Sequence, residues 1–463
     1  MSSERPRSLN PSVLAQFREG FGGEVVLPGD EGYDRARIVW NAAVDRYPAV
    51  VVRPTSVDDV AAAVRFGREH DLVIAVRCGG HSMGGFSTCD DGIVIDLSAM
   101  RGARVDPEAR TATVLGGSLL GDLDREAQGF GLACPVGVVS HTGVGGLTLG
   151  GGMGRLQRKH GFTIDNLLAI ELLTADGQMV RASEEENPDL FWGIRGAGPN
   201  FGIVTSFEFR LHPIGPDMVQ GWVVHPIERA HELAALFSEF TLAAPDEVFA
   251  SFALAMAGPD DPWSDLAGQP VVILGGAHCG LVDTAQRDLR PLREGEPLQD
   301  AIETKTYLTM QGAGDETFAW GNRVYTKGGF LDELSDGFLD VAVDHISRAP
   351  VQVNIGLWAQ GGAVGRVPED AAAFTGRSAA YWLGVEATWA DPSKDDEFVS
   401  WSRQTWDALK PFTTAGTYVN DLVEASEALA RAAYGDAKYE RLVGLKRTYD
   451  PDNVFRLNQN IRP

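Results

Sequence analysis

The order of apolar and polar positions over residues 46–85 predicts a strand, a helix and a second strand that runs into a glycine loop. A short apolar run at residues 50–52 stops before Pro54, and Ser56 is a suitable N-cap for a helix whose apolar residues share one face. Another apolar run, at residues 72–76, leads directly into RCGGHSMGG. The first part of the chain therefore alternates strand and helix.

Further strands are predicted on both sides of a long glycine-rich segment at residues 137–154. Residues 93–98 and 103–117 have the composition of short strands, and the latter stretch turns at an Asp-Pro dipeptide. The pair Asp176-Gly177 separates two apolar runs and is the strongest hairpin signal in the chain.

The pattern changes near Gln220. Strand-like runs such as PVVILGGAH and AAYWLGVEATWAD alternate with helical patterns such as ERAHELAALFSEFT. This alternation predicts an antiparallel sheet with helices on one face, an α+β arrangement. We expect a helical lead-in over residues 1–45 and three segments: 1–215 with its core at 46–215, then 216–412, then 413–463.

Composition and charge narrow the class of protein. The 463 residues exceed what one core usually serves, and 44% hydrophobic with 22% charged residues is ordinary globular composition. A net charge of −24 without a basic run argues against a nucleic-acid surface. No apolar stretch reaches the about 20 residues that span a bilayer, and the N-terminus lacks a secretory pattern, so a cytoplasmic location is expected.

The four cysteines, Cys78, Cys89, Cys134 and Cys279, are scattered and form no C-x-x-C pair, so neither a metal site nor a disulfide framework is indicated.

Two glycine clusters, at residues 77–85 and 143–154, point to a bound dinucleotide. Glycine lets the backbone approach a ligand closely, so that successive N–H groups can converge on a pyrophosphate. Neither cluster has the spacing of a Rossmann fingerprint or a phosphate-binding loop. His81 directly follows Gly79-Gly80, and from the residues alone it could be structural or functional.

Several stretches of the chain resemble a known family of enzymes. The stretches VVVRPTSVDDVAAAVRFGREHDLVIAVRCGGHS, GVVSHTGVGGLTLGGGMGRLQRKHGFTIDNLLAIELLTADGQMV and NPDLFWGIRGAGPNFGIVTSFEFRL, with the tail YDPDNVFRLNQNI, resemble the FAD-linked oxidases of the berberine bridge enzyme-like group. That group lies in the vanillyl-alcohol oxidase/p-cresol methylhydroxylase (PCMH) superfamily. The resemblance is strongest over 46–215 and 415–463. It implies a two-part PCMH-type FAD-binding domain, completed by residues 413–463, and a substrate domain at 216–412.

The resemblance implies that FAD is bonded covalently to the ring of His81. Some relatives add a second bond from a cysteine to flavin C6, at the position that Val139 occupies here. Cys134 lies five residues earlier, so we expect a single covalent link.

The resemblance also assigns the remaining FAD contacts. Val144 falls where the family places a residue that controls oxygen access, and residues 195–198 belong to the segment around the adenosine half. The expected cofactor-binding residues besides His81 are Arg77, Cys78, Gly79, Gly80, Ser82, Thr142, Gly143, Val144, Gly145, Gly146, Leu147, Gly150, Gly154, Asn200, Gly202, Ile203, Val204, Tyr418, Asn420, Asn458 and Asn460.

The sequence indicates the catalytic base less directly than it indicates the FAD contacts. Many relatives carry Y-x-N-Y with the second tyrosine as base, whereas this chain has Asp421 at that position, after Tyr418 and Asn420. An N-cap of the following helix is the favoured interpretation of Asp421, and a base with a pKa raised by burial is the alternative. Other candidates, taken from the predicted substrate sheet, are Tyr325, Asn354, Trp358 and Gln360. His141, Lys159 and His160 are interpreted as structural or flavin-environment residues.

The resulting functional expectation is an oxidase. It would remove a hydride from a small alcohol, amine or phenol-like substrate, including natural products, while O2 is reduced to H2O2. The aromatic residues Trp222, Trp320, Tyr325 and Trp358 favour an apolar or aromatic substrate, with core packing as the alternative. A dehydrogenase with another acceptor, an oxidative cyclase or tailoring enzyme, and a flavin-binding protein without turnover stay open. Nucleic-acid and membrane partners are not expected, and the sequence predicts no oligomeric state.

Overall fold

The computed structural model describes residues 9–463; the start of the predicted lead-in, residues 1–8, lies outside this range. The first sheet along the chain has four strands in the order β1-β2-β4-β3. Strands β2 and β3 run parallel to β4, whereas β1 is antiparallel to β2. These strands are β1 Glu24–Val26, β2 Val50–Arg53, β3 Ile74–Arg77 and β4 Ile93–Asp96.

The second sheet is antiparallel and holds the predicted hairpin. Its order is β5-β6-β10-β8-β9, and a separate two-stranded ladder joins β7 to β11. Asp176-Gly177 connects β8 to β9 as predicted, with Gly177 at a φ of +84°, a conformation that glycine adopts without strain. The strands are β5 Ala103–Asp106, β6 Thr111–Leu115, β7 Leu132–Ala133, β8 Leu167–Leu173, β9 Met179–Ser183, β10 Ile203–Arg210 and β11 His212–Pro213.

The third sheet confirms the predicted antiparallel arrangement. Its order is β15-β12-β14-β13-β18-β19-β17, and β16 also pairs with β12. The strands are β12 Asp217–Pro226, β13 Val248–Met256, β14 Pro270–His278, β15 Gln299–Asp300, β16 Glu303–Thr306, β17 Arg323–Leu331, β18 Val353–Ala359 and β19 Tyr381–Trp389.

The helices lie against the sheets rather than forming a unit of their own. Their bounds are α1 Pro11–Gly20, α2 Tyr33–Arg37, α3 Val57–Glu69, α4 Leu120–Gln128, α5 Val144–Gly150, α6 Gln157–His160, α7 Pro188–Ala197, α8 Ala230–Ala243, α9 Val282–Asp288, α10 Arg290–Arg293, α11 Tyr307–Gln311, α12 Asp336–Ser347, α13 Ala363–Arg366, α14 Asp395–Leu409, α15 Glu427–Tyr434 and α16 Asp436–Tyr449. Ser56 caps α3 as predicted, because its hydroxyl accepts the N–H of Asp59. Within residues 9–463, no helix combines the length and apolar character that crossing a membrane requires.

Each sheet has its own core, and the C-terminal segment joins two of them. Helices α8, α12 and α14 pack on one face of the third sheet through residues such as Phe237, Phe338 and Phe398. After α16, Phe455 packs into the core of the first sheet, and Ile461 packs into that of the second. The α+β class predicted from the pattern is confirmed. The boundaries near residues 215 and 412 stay predictions, and the start of β12 at Asp217 fits the first of them.

Candidate active site

A cavity of about 1470 Å³ lies between the glycine clusters and the open face of the third sheet. Pockets for one small ligand usually measure about 300–1,000 Å³, so this volume suits a large cofactor together with a substrate. Most of the sequence-predicted site residues line it: Cys78, Gly79, Gly80, His81, Ser82, Thr142, Gly143, Gly145, Gly146, Leu147, Gly150, Asn200, Gly202, Ile203, Val204, Asn354, Trp358, Tyr418, Asn420, Asp421 and Asn458.

Some predicted cofactor residues lie behind the cavity wall. Arg77 is buried in an ion pair with Asp96, at 2.8 Å between Nη2 and Oδ2. Val144 is fully buried in the core of the second sheet, and Gly154 packs against the carbonyl of Val136. These residues, with Asn460, are outside the set of described residues that line the cavity.

Two of the predicted substrate-sheet residues also lie away from the cavity lining. The Tyr325 hydroxyl accepts a hydrogen bond from Arg403 at 2.9 Å and donates one to Glu424 at 3.2 Å. Gln360 follows β18, and its backbone carbonyl accepts a hydrogen bond from Arg158 at 2.6 Å. The structure therefore gives neither side chain direct access to a ligand in this cavity.

His81 is held between two aromatic rings at the cavity wall. Trp40 stacks on it with 4.6 Å between ring centroids, and Nε2 of His81 lies 2.6 Å from Nδ1 of His141. Burial, and then the neighbouring His141, lower the pKa of His81 to about 3. His81 is therefore neutral at physiological pH, with a ring-nitrogen lone pair available. No sequence signal pointed to Trp40, which lies 41 residues upstream.

The glycine clusters meet at the cavity, as their predicted role requires. The backbones of Gly79 and Gly143 are so close that a Cβ on Gly79 would collide with the amide nitrogen of Gly143. Beside Gly146 there is open space instead. The two loops thus form a wall in which backbone groups, rather than side chains, can face a ligand.

Unpartnered buried polar atoms show that this wall fits a polar cofactor. Oγ of Ser87, Oδ1 of Asn458 and Oε1 of Gln459 are buried, line the cavity and have no hydrogen-bond partner among the described residues. Leaving such an atom unsatisfied costs about 1–3 kcal/mol. A dinucleotide with hydroxyl, phosphate and amide groups would satisfy them, so the residues present fit FAD.

The opposite wall is the open face of the third sheet, and its register sets its shape. Gly328, Gly384 and Gly356 are direct neighbours across β17, β19 and β18. Without side chains, this row leaves room above the sheet. The ring of Trp382 occupies part of that room, because a Cβ on Gly384 would lie 2.5 Å from it. Asp421 occupies another part, with Oδ2 at 2.9 Å from the Cβ position of Gly328.

Asp421 is a buried carboxyl that faces the cavity. Nε1 of Trp382 donates a hydrogen bond to its Oδ2 at 2.7 Å. Burial, opposed by the Trp382 hydrogen bond and reinforced by nearby Glu386, raises the pKa of Asp421 to about 8. The favoured prediction that Asp421 caps the next helix is wrong. Ser426 caps α15, since its hydroxyl accepts the N–H of Leu429 at 3.1 Å.

Glu386 is a site residue that the sequence analysis missed. It lies on β19 directly opposite Asn354 of β18, two positions beyond the glycine row on the same face, and it lines the cavity. Burial raises its pKa, and a hydrogen bond with Asn354 opposes the rise. The sequence does contain a signal that could identify Glu386 as a site residue. It is a lone carboxylate inside the apolar run YWLGVEATW, and strands seldom bury an unpaired charge.

Tyr418 has a supporting position. Its hydroxyl accepts hydrogen bonds from the Gly152 amide at 3.1 Å and from Nδ2 of Asn420 at 2.8 Å. Burial raises the pKa of Tyr418, so the phenol stays protonated. Nδ2 of Asn420 also donates to the carbonyl of Leu147. Both side chains therefore fix the end of the second glycine cluster.

The remaining candidates occupy structural positions. Cys134 is fully buried away from the cavity lining, and burial raises the pKa of its thiol well above the usual value, whereas Val139 does line the cavity. His160 stacks on His212 at 3.8 Å between centroids. Lys159 pairs with Glu247 at 3.5 Å.

Known FAD-linked proteins are similar to this chain over most of its length. Residues 48–183 match the FAD binding domain family, and residues 417–462 match the family described as berberine and berberine like. The chain is 33% identical to (R)-6-hydroxynicotine oxidase of Paenarthrobacter nicotinovorans over 95% of this chain and 97% of that one. It is 31% identical to an FAD-linked oxidoreductase of Dictyostelium discoideum, over 97% of each chain.

Solved structures share the whole architecture. The crystal structure of 6-hydroxy-D-nicotine oxidase from Arthrobacter nicotinovorans has a TM-score of 0.87 at 30% identity and covers 96% of this chain and 98% of that chain. BBE-like 1 of Physcomitrella patens has the same fold, with a TM-score of 0.87 at 24% identity over 97% of this chain and 99% of that one.

The fold, the cavity and these matches define an FAD-dependent oxidoreductase with a PCMH-type FAD-binding domain. The chain belongs to the berberine bridge enzyme-like family of FAD-linked oxidoreductases.

Proposed function

We propose that this protein is an oxidase that carries FAD covalently on His81 and oxidises a C–H bond next to a hydroxyl or amine group of a small molecule. The observation that carries the proposal is a pair of carboxyls, buried Asp421 and half-buried Glu386, both with raised pKa values and both lining the same cavity as His81. FAD, held by His81 and the glycine clusters, would supply the chemistry of hydride acceptance and of O2 reduction to H2O2.

The surroundings of His81 support covalent attachment. Its Nε2 is engaged with His141, whereas Nδ1 has no hydrogen-bond partner within residues 9–463. Stacking on Trp40 fixes the plane of the ring. We therefore propose Nδ1 as the nitrogen that bonds to the flavin. The buried position of Cys134 supports a single link.

The carboxyl pair supports a role in removing the proton that leaves with the hydride. Two neighbouring buried carboxyls do not both ionise readily, so the pair holds a proton into the neutral range. Trp382 donates to Oδ2 of Asp421 and orients that carboxylate. We propose that Asp421 accepts the O–H or N–H proton of the substrate, while Glu386 and Asn354 tune it from the adjacent strands.

The aromatic lining supports a substrate with apolar or aromatic parts. Trp358 lies directly opposite Trp382 across β18 and β19, with 5.3 Å between ring centroids, and both line the cavity. Aromatic rings bind flat apolar groups through large contact areas. Known proteins similar to this chain include an oxidase of (R)-6-hydroxynicotine, which supports a small-molecule substrate.

The test is a panel of alcohols, amines and phenols assayed for H2O2 with the purified flavoprotein. Turnover with O2 consumption that matches H2O2 supports the oxidase. Flavin reduction that O2 does not reverse, while an artificial acceptor does, indicates a dehydrogenase. Flavin that no panel member reduces contradicts turnover. Asp340→Asn serves as a control for Asp421→Asn, since Asp340 is exposed on α12.

A further inference from the structure

Arg155 lines the cavity, and no carboxylate within residues 9–463 pairs with it. Its Nη1 is buried without a hydrogen-bond partner, and its guanidinium makes no hydrogen bond or ion pair within residues 9–463. The guanidinium of buried Arg158 donates to the backbone carbonyls of Gln360, Thr241 and Ala244, and the other two buried arginines among the described residues pair with carboxylates. Arg77 bonds to Asp96, and Arg377 bonds to Asp165 through two nitrogens at 2.6 and 2.9 Å.

The charge of Arg155 persists at neutral pH. Burial lowers the pKa of its guanidinium to about 10, which leaves the group protonated. Tyr307 is the ionisable neighbour that acts on this pKa, and burial keeps its phenol neutral. Asp124, beyond it, already accepts hydrogen bonds from Tyr307 at 3.0 Å and from Gln311 at 3.4 Å. A buried charge without a partner is costly, so the site is complete only when a ligand supplies one.

The position of Arg155 favours substrate over cofactor as that ligand. Tyr307 of α11 is near enough to Arg155 to act on its pKa, and Tyr307 packs with Phe249 and Ala277 of the third sheet. The guanidinium thus belongs to the part of the cavity that the third sheet forms. The glycine clusters and the C-terminal asparagines, which carry the expected FAD contacts, form the other part.

Other unpaired polar groups lie in the same part of the cavity. Gln220 on β12 is paired with Ala277, and Trp222 on the same strand is paired with Gly275. Oε1 of Gln220 and Nε1 of Trp222 are buried without partners among the described residues, and both side chains line the cavity. Arg155 and Trp222 offer a cation and an N–H donor, which match the oxygens of a carboxylate, whereas Oε1 of Gln220 is an acceptor and suits a donor group.

The acidic pair lies farther along the same face. The row of Trp222 reaches β18 at Trp358, through Gly275 and Ser251. The row of Glu386 reaches β18 at Asn354, four residues from Trp358, which corresponds to roughly 13 Å. Asp421 lies over Gly328 of β17, whereas Trp222 lies on β12, near the other side of the sheet. The proton-accepting group and the anion-accepting end are therefore separated across the strands of this face.

We propose that Arg155 binds a carboxylate of the substrate, so that the enzyme oxidises small acids at a carbon remote from the carboxylate. This inference rests on the proposed function, because it names the substrate class of that site. No bond forms or breaks at Arg155, whose contribution is to bind and orient. The net charge of −24 makes this buried cation a selective anchor rather than part of a general attraction for anions.

The test measures binding of benzoate, phenylacetate and 3-phenylpropionate, each against its neutral amide, by calorimetry with the holoenzyme. At least one acid is expected to bind wild type 10-fold or more tightly than its amide. In Arg155→Gln and Arg155→Met this preference is lost, and in Arg155→Lys part of it is retained. Arg366→Gln, at an exposed arginine paired with Asp246, keeps it. Removal of a buried unpaired charge should leave Tm unchanged or higher, which excludes misfolding as the cause.

Flavin content and the visible spectrum of each variant show whether a loss of acid binding comes from Arg155 itself or from loss of the cofactor. If no acid binds wild type better than its amide, or if the Arg155 variants keep the preference, the inference is overturned. It is also overturned if Arg155→Gln loses flavin while Arg366→Gln does not, since Arg155 would then hold the cofactor. These results leave the oxidase proposal standing, whereas a panel in which no compound reduces the flavin contradicts the oxidase proposal itself.

Discussion

The indole N–H of Trp382 donates a hydrogen bond of 2.7 Å to Oδ2 of Asp421, and the two residues lie over neighbouring glycines of the third sheet. This contact joins β19 to the C-terminal segment, 39 residues later in the chain. It holds a buried carboxyl at the cavity in one orientation. The assignment of Asp421 as proton acceptor depends on this contact.

Replacing Asp421 with asparagine should remove the base while keeping its shape. A positioned general base contributes about 10²- to 10⁴-fold, so we expect the rate of anaerobic flavin reduction in Asp421→Asn to fall by that range. The Trp382 hydrogen bond persists, because the asparagine oxygen also accepts. Flavin content should match wild type, and Asp340→Asn should reduce its flavin at the wild-type rate. If the flavin of Asp421→Asn is reduced as fast as that of wild type, the assignment of Asp421 as the base is contradicted.

The pH dependence should follow the raised pKa of Asp421. Only the ionised carboxylate accepts a proton, so flavin reduction is expected to speed up as pH rises, with a midpoint near the folded-state value of about 8. Trp382→Phe removes a hydrogen bond that favours the ionised form and should shift the midpoint to higher pH. Glu386→Gln removes a neighbouring negative charge and should shift it to lower pH.

Stopped-flow reduction between pH 6 and 10 measures these midpoints. The opposite signs of the two shifts form the control, since a general disturbance of the site would move both variants the same way. Midpoints that coincide in the three proteins would show that another group titrates.

Covalent flavin should depend on His81 and on its partner. His81→Ala is expected to bind FAD without a covalent bond, so acid precipitation releases the flavin and the intact mass equals that of the polypeptide. In His141→Ala, Nε2 of His81 loses its partner, and the covalent fraction should fall or form more slowly. NMR of the flavin peptide from wild type should show attachment through Nδ1. Covalent flavin that persists in His81→Ala would contradict the assignment.

The glycine row under Trp382 should be sensitive to a single methyl group. A Cβ on Gly384 would lie 2.5 Å from the indole, so Gly384→Ala is expected to displace Trp382 and slow flavin reduction by roughly the effect of a lost base contact. Gly444→Ala is the control, because no atom lies within 4 Å of its Cβ position in α16. It should raise stability by about 1 kcal/mol, through helix propensity alone. Stopped-flow flavin reduction measures the first effect, and thermal unfolding measures the second.

The sequence predicted the parts of this fold and site that local pattern controls. The cap at Ser56 and the turn at Asp176-Gly177 follow from neighbouring residues, and the structure has both. The glycine clusters identified the cofactor side of the cavity for the same reason, since close backbone approach depends on residue type.

The parts that the sequence did not predict depend on contacts between distant segments. The sequence favours a helix cap at Asp421, because it does not show the contact with Trp382, which lies 39 residues earlier in the chain. Glu386 is recognised as a site residue only from the strand register, which places it opposite Asn354 on the cavity face. The sequence does not single out Arg155, and what distinguishes it is the absence of a hydrogen-bond partner for Nη1 within residues 9–463.

Anaerobic reduction followed by exposure to O2 tests the central claim most directly. A substrate identified from the panel is mixed with the enzyme without oxygen until the flavin is reduced, and aerated buffer is then added. The oxidase account predicts full reoxidation within the turnover time and one H2O2 formed per flavin. Flavin that stays reduced in air and is reoxidised by an artificial acceptor would contradict it.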